Sequence, residues 1–182
     1  MESTAVLERD RATALSKGDD RGGKYLVFHL GREEFGIRVL KVREIMGIQD
    51  ITAVPQTPLH VKGVINLRGK VIPVVDLRLK FGLPEQEYTA RTCIIVVQVK
   101  GEAGPVSMGI VVDGVAEVLN IAAGDIEDTP DVNDGMATPY LMGMAKVKGK
   151  VKILLDIDQV LANREVHDLE SIIQKTTSGA LG

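Results

Sequence analysis

The chain repeats itself, and this repetition constrains its fold more than any other feature of the sequence. Two blocks of the first half recur in the second half in the same order. The segment Phe35–Ile45 matches Met108–Val118 at a spacing of 73 residues. Further on, Gly69-Lys70-Val71 matches Gly149-Lys150-Val151 at a spacing of 80 residues. A repeat of this length predicts two copies of one structural unit.

Composition and periodicity indicate that each unit is built from strands. Val and Ile together supply 38 of the 182 residues, and Trp is absent. Branched aliphatic side chains favour strands over helices. Short strands separated by frequent turns predict two small SH3-like β-barrels side by side, with short helices. Which strand completes which barrel stays open, because terminal strands can cross between units. The expected segments are a mobile polar tail at 1–23, a first barrel at about 24–84, a second at about 91–162, and a C-terminal helix with a frayed end at 163–182.

Charge and cysteine content narrow the class of protein further. Cys93 is the single cysteine, so an internal disulfide is impossible and a reducing compartment is expected. The net charge of −3 and the pI of about 5.7 argue against a surface that neutralises nucleic-acid phosphates. No apolar run approaches the ~18 residues of a membrane span. The acidic N-terminus lacks the apolar core of a signal peptide.

Reactive chemistry is absent from the sequence patterns. The three histidines have no partners at metal-site spacing, and no glycine-rich loop leads from a strand into a helix to hold phosphate. Cys93 lies in the most apolar strand and is expected to be buried and inert. Asp76 and Asp156 occupy equivalent places in the repeat. They suit a paired-carboxylate site, but the capping of the turn after each strand is the stronger interpretation. No enzymatic activity, cofactor or metal is therefore expected.

Function must then lie in surfaces. Arg68 is expected at the tip of a hairpin, where its guanidinium can make forked contacts with a partner, although a lone surface arginine usually only aids solubility. Val42 and Ile45 in the first unit, and Val115 and Val118 in the second, are ordinarily core residues. A small barrel cannot bury all its aliphatic side chains, so some are expected to face the other barrel or a partner. A Val- and Ile-lined groove between barrels would accept an amphipathic helix.

These residues carry a resemblance to a known family. The segments Phe35–Ile45, Gly63–Gly69, Val71–Leu77 and Gly109–Val115 occur in this order with fixed spacing. Together they resemble the bacterial chemotaxis coupling (adaptor) protein family, CheW, over about residues 24–161. The resemblance implies two five-stranded SH3-like barrels and no enzymatic activity. It also implies an adaptor that links chemoreceptor tips to the regulatory domain of the histidine kinase CheA.

The resemblance also implies a set of binding residues and a place in the cell. The positions that match the family's binding residues are Val42, Glu44, Gly63, Arg68, Gly109 and Val118. Receptor contact is expected mainly on the first unit and the groove between the barrels, and kinase contact at barrel ends of both units. Self-association within arrays is also compatible with it. Such an adaptor is cytoplasmic and is recruited to membrane-bound receptor arrays.

Three alternatives remain open at the level of sequence. The first is a similar adaptor in a pilus-motility or other chemosensory pathway, which the sequence does not separate from chemotaxis. The second is an enzyme on a small barrel, which turnover of a nucleotide or phosphate ester would reveal. The third is a barrel that binds single-stranded nucleic acid. Six aromatic residues and a negative net charge argue against that one, and a salt-sensitive shift with an oligonucleotide would revive it.

Overall fold

The computed structural model describes residues 20–128 and 140–161 of the chain. The predicted C-terminal helix and nearly all of the predicted tail lie outside these residues. The first half consists of β1 (Gly23–Leu30), β2 (Glu33–Arg38), β3 (Val42–Gly47), β4 (Val61–Leu67), β5 (Lys70–Asp76) and the short helix α1 (Leu77–Lys80). The second half consists of β6 (Cys93–Gly101), β7 (Gly104–Val112), β8 (Gly114–Ile121), β9 (Ile126–Glu127), β10 (Leu141–Val147), β11 (Lys150–Leu155) and α2 (Ile157–Val160).

The strands form two sheets, and each sheet contains strands from both halves. Sheet A has the order β8-β1-β2-β11-β10-β9, and sheet B has the order β3-β6-β7-β5-β4. The β1–β2 hairpin therefore completes the sheet of the second half, while the β6–β7 hairpin completes the sheet of the first half. The ladders β2–β11 and β5–β7, which join the halves, are parallel. The segments expected for the two barrels are thus interlocked in space.

Short connections explain this exchange of hairpins. A three-residue 3-10 turn, Val39–Lys41, joins β2 to β3, and Asp113 alone joins β7 to β8. If β3 lay beside β1 in one sheet, as β8 does, then β2 and β3 would run parallel. Parallel strands need a crossover of about a dozen residues. The other edge of β2 is occupied by β11, and that of β7 by β5, so each hairpin is followed by a strand of the other sheet.

The prediction of two SH3-like β units is confirmed, although neither sheet is closed by a ladder between its edge strands. Sheet A has six strands where five were expected. In each unit, the segment that leaves one edge strand curls round and pairs with a strand at the opposite edge of the same sheet. After β8 a 3-10 turn leads into β9, which pairs with β10. After β3 the chain reaches Thr52, which forms an isolated antiparallel bridge with Val64 of β4.

The repeat extends to the φ angles of individual residues. The two hairpin turns have Arg68 and Gly69 at φ of 53° and 86°, and Lys148 and Gly149 at 54° and 78°. Positive φ at both central residues is typical of the tight turn that suits a twisted hairpin. The predicted capping role of the paired aspartates is also confirmed. Asp76 accepts hydrogen bonds from two backbone N–H groups at the start of α1, and Asp156 does the same for α2.

Three apolar cores hold the sheets. The largest lies between sheets A and B and includes Leu26, Phe28, Ile95, Val97 and Ile110. A second core lies within the curl of sheet B and a third within the curl of sheet A. The exchanged hairpins contribute to more than one core, which explains the continuous apolar runs of β1 and β6. No helix among the described residues is long and apolar enough to cross a membrane.

Candidate functional site

Arg68 and Glu44 form an exposed ion pair that joins the β4–β5 turn to β3. The Arg68 Nη2 atom donates a hydrogen bond of 2.9 Å to Glu44 Oε1, and the side chains are 77% and 30% exposed. The turn itself is held by Asn66, whose side-chain oxygen accepts a hydrogen bond from Gly69 N at 2.9 Å. An exposed pair of this kind contributes at most about 1 kcal/mol to stability. The pair places the guanidinium at the surface beside β3.

Strand β3 carries two further predicted residues beside this pair. Its side chains alternate between half-buried and exposed positions. Val42 packs against the edge of the central core, and Ile45 is 44% exposed on the opposite face. β3 is an edge strand of sheet B, so one side of its backbone has no strand partner in the described residues. Val42, Glu44 and Arg68 thus come together as one surface, which we call the β3 edge.

The two predicted glycines have packing roles. Gly63 has φ of +141°, and a Cβ atom there would lie 2.0 Å from the carbonyl oxygen of Thr52. A Cβ atom at Gly109 would lie 3.0 Å from Ile94 Cγ2, and Gly109 is buried. Both glycines therefore permit close approach of strands. Direct contact of either residue with a partner stays a prediction.

Val118 lies on β8, the edge strand of sheet A, and is 55% exposed. It is the repeat equivalent of Ile45 and occupies the same place in the other sheet. The structure therefore does not place Val118 on the β3 edge. Equivalent exposed valines also follow the two hairpin turns, at Val71 and Val151, with exposures of 39% and 41%.

A groove lined by aromatic side chains lies beside the two halves' junction, and the sequence patterns did not identify it. Phe35 of β2, Phe81 after α1, and Tyr140 before β10 stack in a row, with ring centroids 5.9 and 5.5 Å apart. Phe28 extends the row into the core at 6.0 Å from Phe35. The groove has a volume of about 480 Å³ and is also lined by Leu83, Met144, Ile153 and other, mostly apolar, residues. We call it the aromatic groove.

Leu40 is a second surface feature that the patterns missed. It is 86% exposed in the turn between β2 and β3, beside a cleft of about 780 Å³ lined by Lys41, Arg43, Lys100 and Pro105 among others. The alternating pattern puts Leu40 on the same face as Gly36 and Arg38, opposite the face expected to be buried, but nothing in that pattern marks it as a surface feature. The 3-10 turn that rotates Leu40 outward is set by the passage of the chain from sheet A to sheet B.

The segment between α1 and β6 is fastened to the first half by Tyr88. Its hydroxyl donates a hydrogen bond of 3.1 Å to Asp76 Oδ2. Burial, reinforced by the Asp76 carboxylate, raises the pKa of Tyr88 well above its ordinary value. Lys62 lies over the Tyr88 ring and forms a 2.9 Å ion pair with Glu85. That hydrogen bond lowers the pKa of the exposed Glu85.

Reactive groups do not converge in the described parts of the chain. Within residues 20–128 and 140–161, no group of three or more His, Cys, Asp or Glu side chains is arranged to hold a metal ion. Cys93 was expected to be buried, and this was wrong. It is half-buried at the start of β6, where its Sγ donates a hydrogen bond to Arg91 O at 3.1 Å.

Comparison with known proteins agrees with this architecture. The family model described as the CheW-like domain matches residues 24–165. The Chemotaxis protein CheW of Klebsiella aerogenes is 39% identical over 155 residues, which cover 85% of this chain and 91% of that protein. The protein of the same name from Rhizobium meliloti is 36% identical over 154 residues, covering 84% and 97%.

A solved structure shows the same fold. The scaffolding protein TtCheW from Thermoanaerobacter tengcongensis superposes with a TM-score of 0.69 at 33% identity. The match covers 79% of this chain and 95% of that one.

Proposed function

The chain belongs to the CheW-like domain family of chemotaxis scaffolding proteins, and we propose that it is a non-enzymatic adaptor that couples chemoreceptor tips to the regulatory domain of the histidine kinase CheA. The match of the family model over residues 24–165 carries this proposal. An adaptor must hold two proteins at once, so it needs two surfaces that do not overlap. The molecule offers several separate surfaces on its two sheets.

The aromatic groove and the β3 edge are the surfaces that we assign to the receptor. The tip of a chemoreceptor is a helical hairpin, and an amphipathic helix binds by laying its apolar face into a groove. Phe35, Phe81 and Tyr140 provide large, rigid contact area at a low entropic cost. On the β3 edge, the exposed Arg68 guanidinium suits forked hydrogen bonds to polar groups that flank such an apolar face.

The ends of the two sheets are the surfaces that we assign to the kinase. Val151 is exposed beside the β10–β11 turn. Val71 is its equivalent on the other sheet and lies next to the Arg68 turn, so the kinase surface there adjoins the receptor surface without sharing a residue with it. Val118 adds a third exposed aliphatic side chain on the edge of sheet A. Small apolar surfaces of this kind suit a modest interface of roughly 1,200 Å² or less. In an array, many such contacts act together because each one raises the effective concentration for the next.

The signal passes through the adaptor by differential binding. A ligand-dependent change at the receptor reaches the kinase only if the complex binds two kinase conformations with different affinities. The adaptor needs no catalytic group for this. The absence of a metal cluster in residues 20–128 and 140–161 is compatible with such a role but does not carry it.

Reconstitution with receptor-containing membrane vesicles and purified CheA tests the proposal. We expect the full chain to raise kinase autophosphorylation only when receptors are present. Met144→Glu, which puts a charge into the aromatic groove, is expected to weaken receptor binding at least tenfold and leave kinase binding within threefold. The matched control is Leu59→Glu, which changes a 79% exposed leucine outside the groove. Failure of the unmodified chain to stimulate the kinase would contradict the adaptor function.

A further inference from the structure

Three shielded ion pairs join the two halves of the chain. Glu34 of β2 pairs with Lys152 of β11, Lys41 pairs with Asp158 of α2, and Arg78 of α1 pairs with Asp113. In each pair one residue lies in or just after an exchanged hairpin. The other lies in the last strand or helix of the opposite half. All six side chains are less than 30% exposed. Three further pairs each have one mostly exposed member. Arg68–Glu44 and Lys62–Glu85 lie within the first half, and Arg21–Asp128 joins the two halves at the surface.

The pair in the parallel ladder has no counterpart in the other ladder. Glu34 and Lys152 face each other across β2 and β11, and the Lys152 side chain is 5% exposed. The repeat-equivalent positions in β7 and β5 are occupied by Ser107 and Ile72. The two junctions between the halves therefore differ by one buried lysine and one carboxylate, although their backbones are equivalent.

The other two pairs have opposite polarity at equivalent places. In α1 the cation Arg78 meets the anion Asp113 with Nη1 and Oδ2 2.6 Å apart. In α2 the equivalent position is the anion Asp158, which meets the cation Lys41 at 2.6 Å. Lys41 stands one residue after Leu40, the repeat equivalent of Asp113. Helix α1 thus presents a positive charge to the turn that it contacts, whereas helix α2 presents a negative charge.

We propose that these three ion pairs restrict each half to pairing with the opposite half, and so exclude pairing between equal halves of two chains. The repeat favours such equal pairing, because each half supplies an exchanged hairpin and accepts one through an equivalent parallel ladder. Exchange of an equivalent element between copies is a low-cost route to dimers. The charged residues differ between the two halves, so they distinguish pairing of unlike halves from pairing of equal halves.

The charge arrangement opposes every equal pairing. If two first halves paired, Glu34 would face Ile72, and Lys41 would approach Arg78. If two second halves paired, Lys152 would face Ser107, and Asp158 would approach Asp113. A shielded charge without a partner is strongly unfavourable, and like charges in contact add repulsion. Only the observed pairing of unlike halves gives each of the six groups an oppositely charged partner.

Two variants of the full chain test the first pair. Lys152→Ile alone leaves Glu34 without its cation and is expected to lower the melting temperature by roughly 10 °C. The double variant Glu34→Ser/Lys152→Ile copies the residues of the other ladder and is expected to recover most of that loss. After complete unfolding in denaturant and refolding at high concentration, the double variant should show at least a threefold larger dimer fraction than the parent by light scattering.

A further double variant tests the Lys41–Asp158 pair and does not depend on the buried Glu34–Lys152 pair. Lys41→Asp/Asp158→Lys reverses one ion pair without removing it, and it makes equal pairing attractive at both helices. It should also raise the dimer fraction on refolding. Its melting temperature is expected to fall less than that of Lys152→Ile, since the ion pair is kept and the loss is the hydrogen bond that Asp158 accepts from Lys100 N. The control Lys62→Gln/Glu85→Gln removes an exposed ion pair within one half and should behave as the parent. Refolded populations that match the parent for both double variants would overturn the proposal.

Discussion

At the scale of the residue, surface exposure separates side chains that pack inside the protein from side chains that lie at its surface. Arg68 is mostly exposed and hydrogen-bonded to Glu44, whereas Gly63 and Gly109 are surrounded by strands. The predicted site is therefore of two kinds. Its charged and aliphatic members lie on surfaces, and its glycines determine how closely the strands below those surfaces approach.

Truncation of Arg68 distinguishes a role in receptor binding from a role in the stability of the fold. We expect Arg68→Ala to change the free energy of unfolding by less than about 1 kcal/mol, because the ion pair is exposed. Receptor binding should weaken by about 2 kcal/mol or more, as is typical of an interface hot spot. Titration with receptor vesicles and chemical denaturation measure the two quantities. Lys148→Ala, at the equivalent turn with the same backbone angle, is the control and should affect neither. Unchanged receptor binding in Arg68→Ala would contradict the assignment.

Substitution of Gly63 tests the packing role. A methyl group there would overlap the Thr52 carbonyl, and φ of +141° disfavours any side chain. We expect Gly63→Ala to reduce the free energy of unfolding by about 3 kcal/mol or more, measured by chemical denaturation. Gly47→Ala is the control, since nothing lies within 4 Å of its Cβ position. Equal stability of the two variants would show that strand β4 shifts to accommodate the added methyl.

At the scale of the element, the two halves use the same devices to begin and end their strands. Each hairpin turn has a positive-φ pair, and each final strand ends at an aspartate that caps a four-residue helix. In the first half Asp76 has a second task, because its other oxygen accepts the Tyr88 hydrogen bond. This bond holds the segment between the halves against the end of β5.

The Tyr88 bond predicts loss of stability at alkaline pH. The pKa of Tyr88 is raised in the folded protein, so the folded state retains this proton when the unfolded state has lost it. The contribution is complete below the unfolded pKa of about 10 and declines as pH rises above that value. We expect the free energy of unfolding to fall more steeply above pH 10 in the parent than in Tyr88→Phe. Urea denaturation from pH 8 to 11 measures both slopes, and equal slopes would contradict the prediction.

At the scale of the whole molecule, hairpin exchange makes the two units one body. Each sheet contains strands from both halves, and the largest core lies between the sheets. Neither unit can lose its structure without removing a hairpin from the other. This coupling gives an adaptor a stable relation between surfaces on its two sheets.

Cooperative unfolding follows from this interlocking. Although the chain forms two sheets, it should unfold in a single calorimetric transition, with a calorimetric enthalpy close to the van't Hoff enthalpy. Far-ultraviolet circular dichroism and tyrosine fluorescence should report the same midpoint. Two resolved transitions would show that the sheets unfold separately.

Local features of this protein could be predicted from its sequence because they depend on neighbouring residues. The repeat identifies the two units, the Arg-Gly and Lys-Gly turns follow from backbone preferences, and the aspartate caps follow from side-chain reach. The choice of residues 42, 44, 68 and 118 for a surface came from the repeat and the family resemblance. The structure places all four at least partly at the surface.

Contacts between distant segments were decided only in the tertiary structure. The aromatic groove joins Phe35, Phe81 and Tyr140, which lie far apart in sequence and share no local pattern. Likewise, Glu34 meets Lys152 only because β2 leaves its own half. The physical reason is that a strand's hydrophobic pattern shows which faces are buried, but not which strand covers them. Here chain connectivity makes that choice, through turns too short for a parallel crossover.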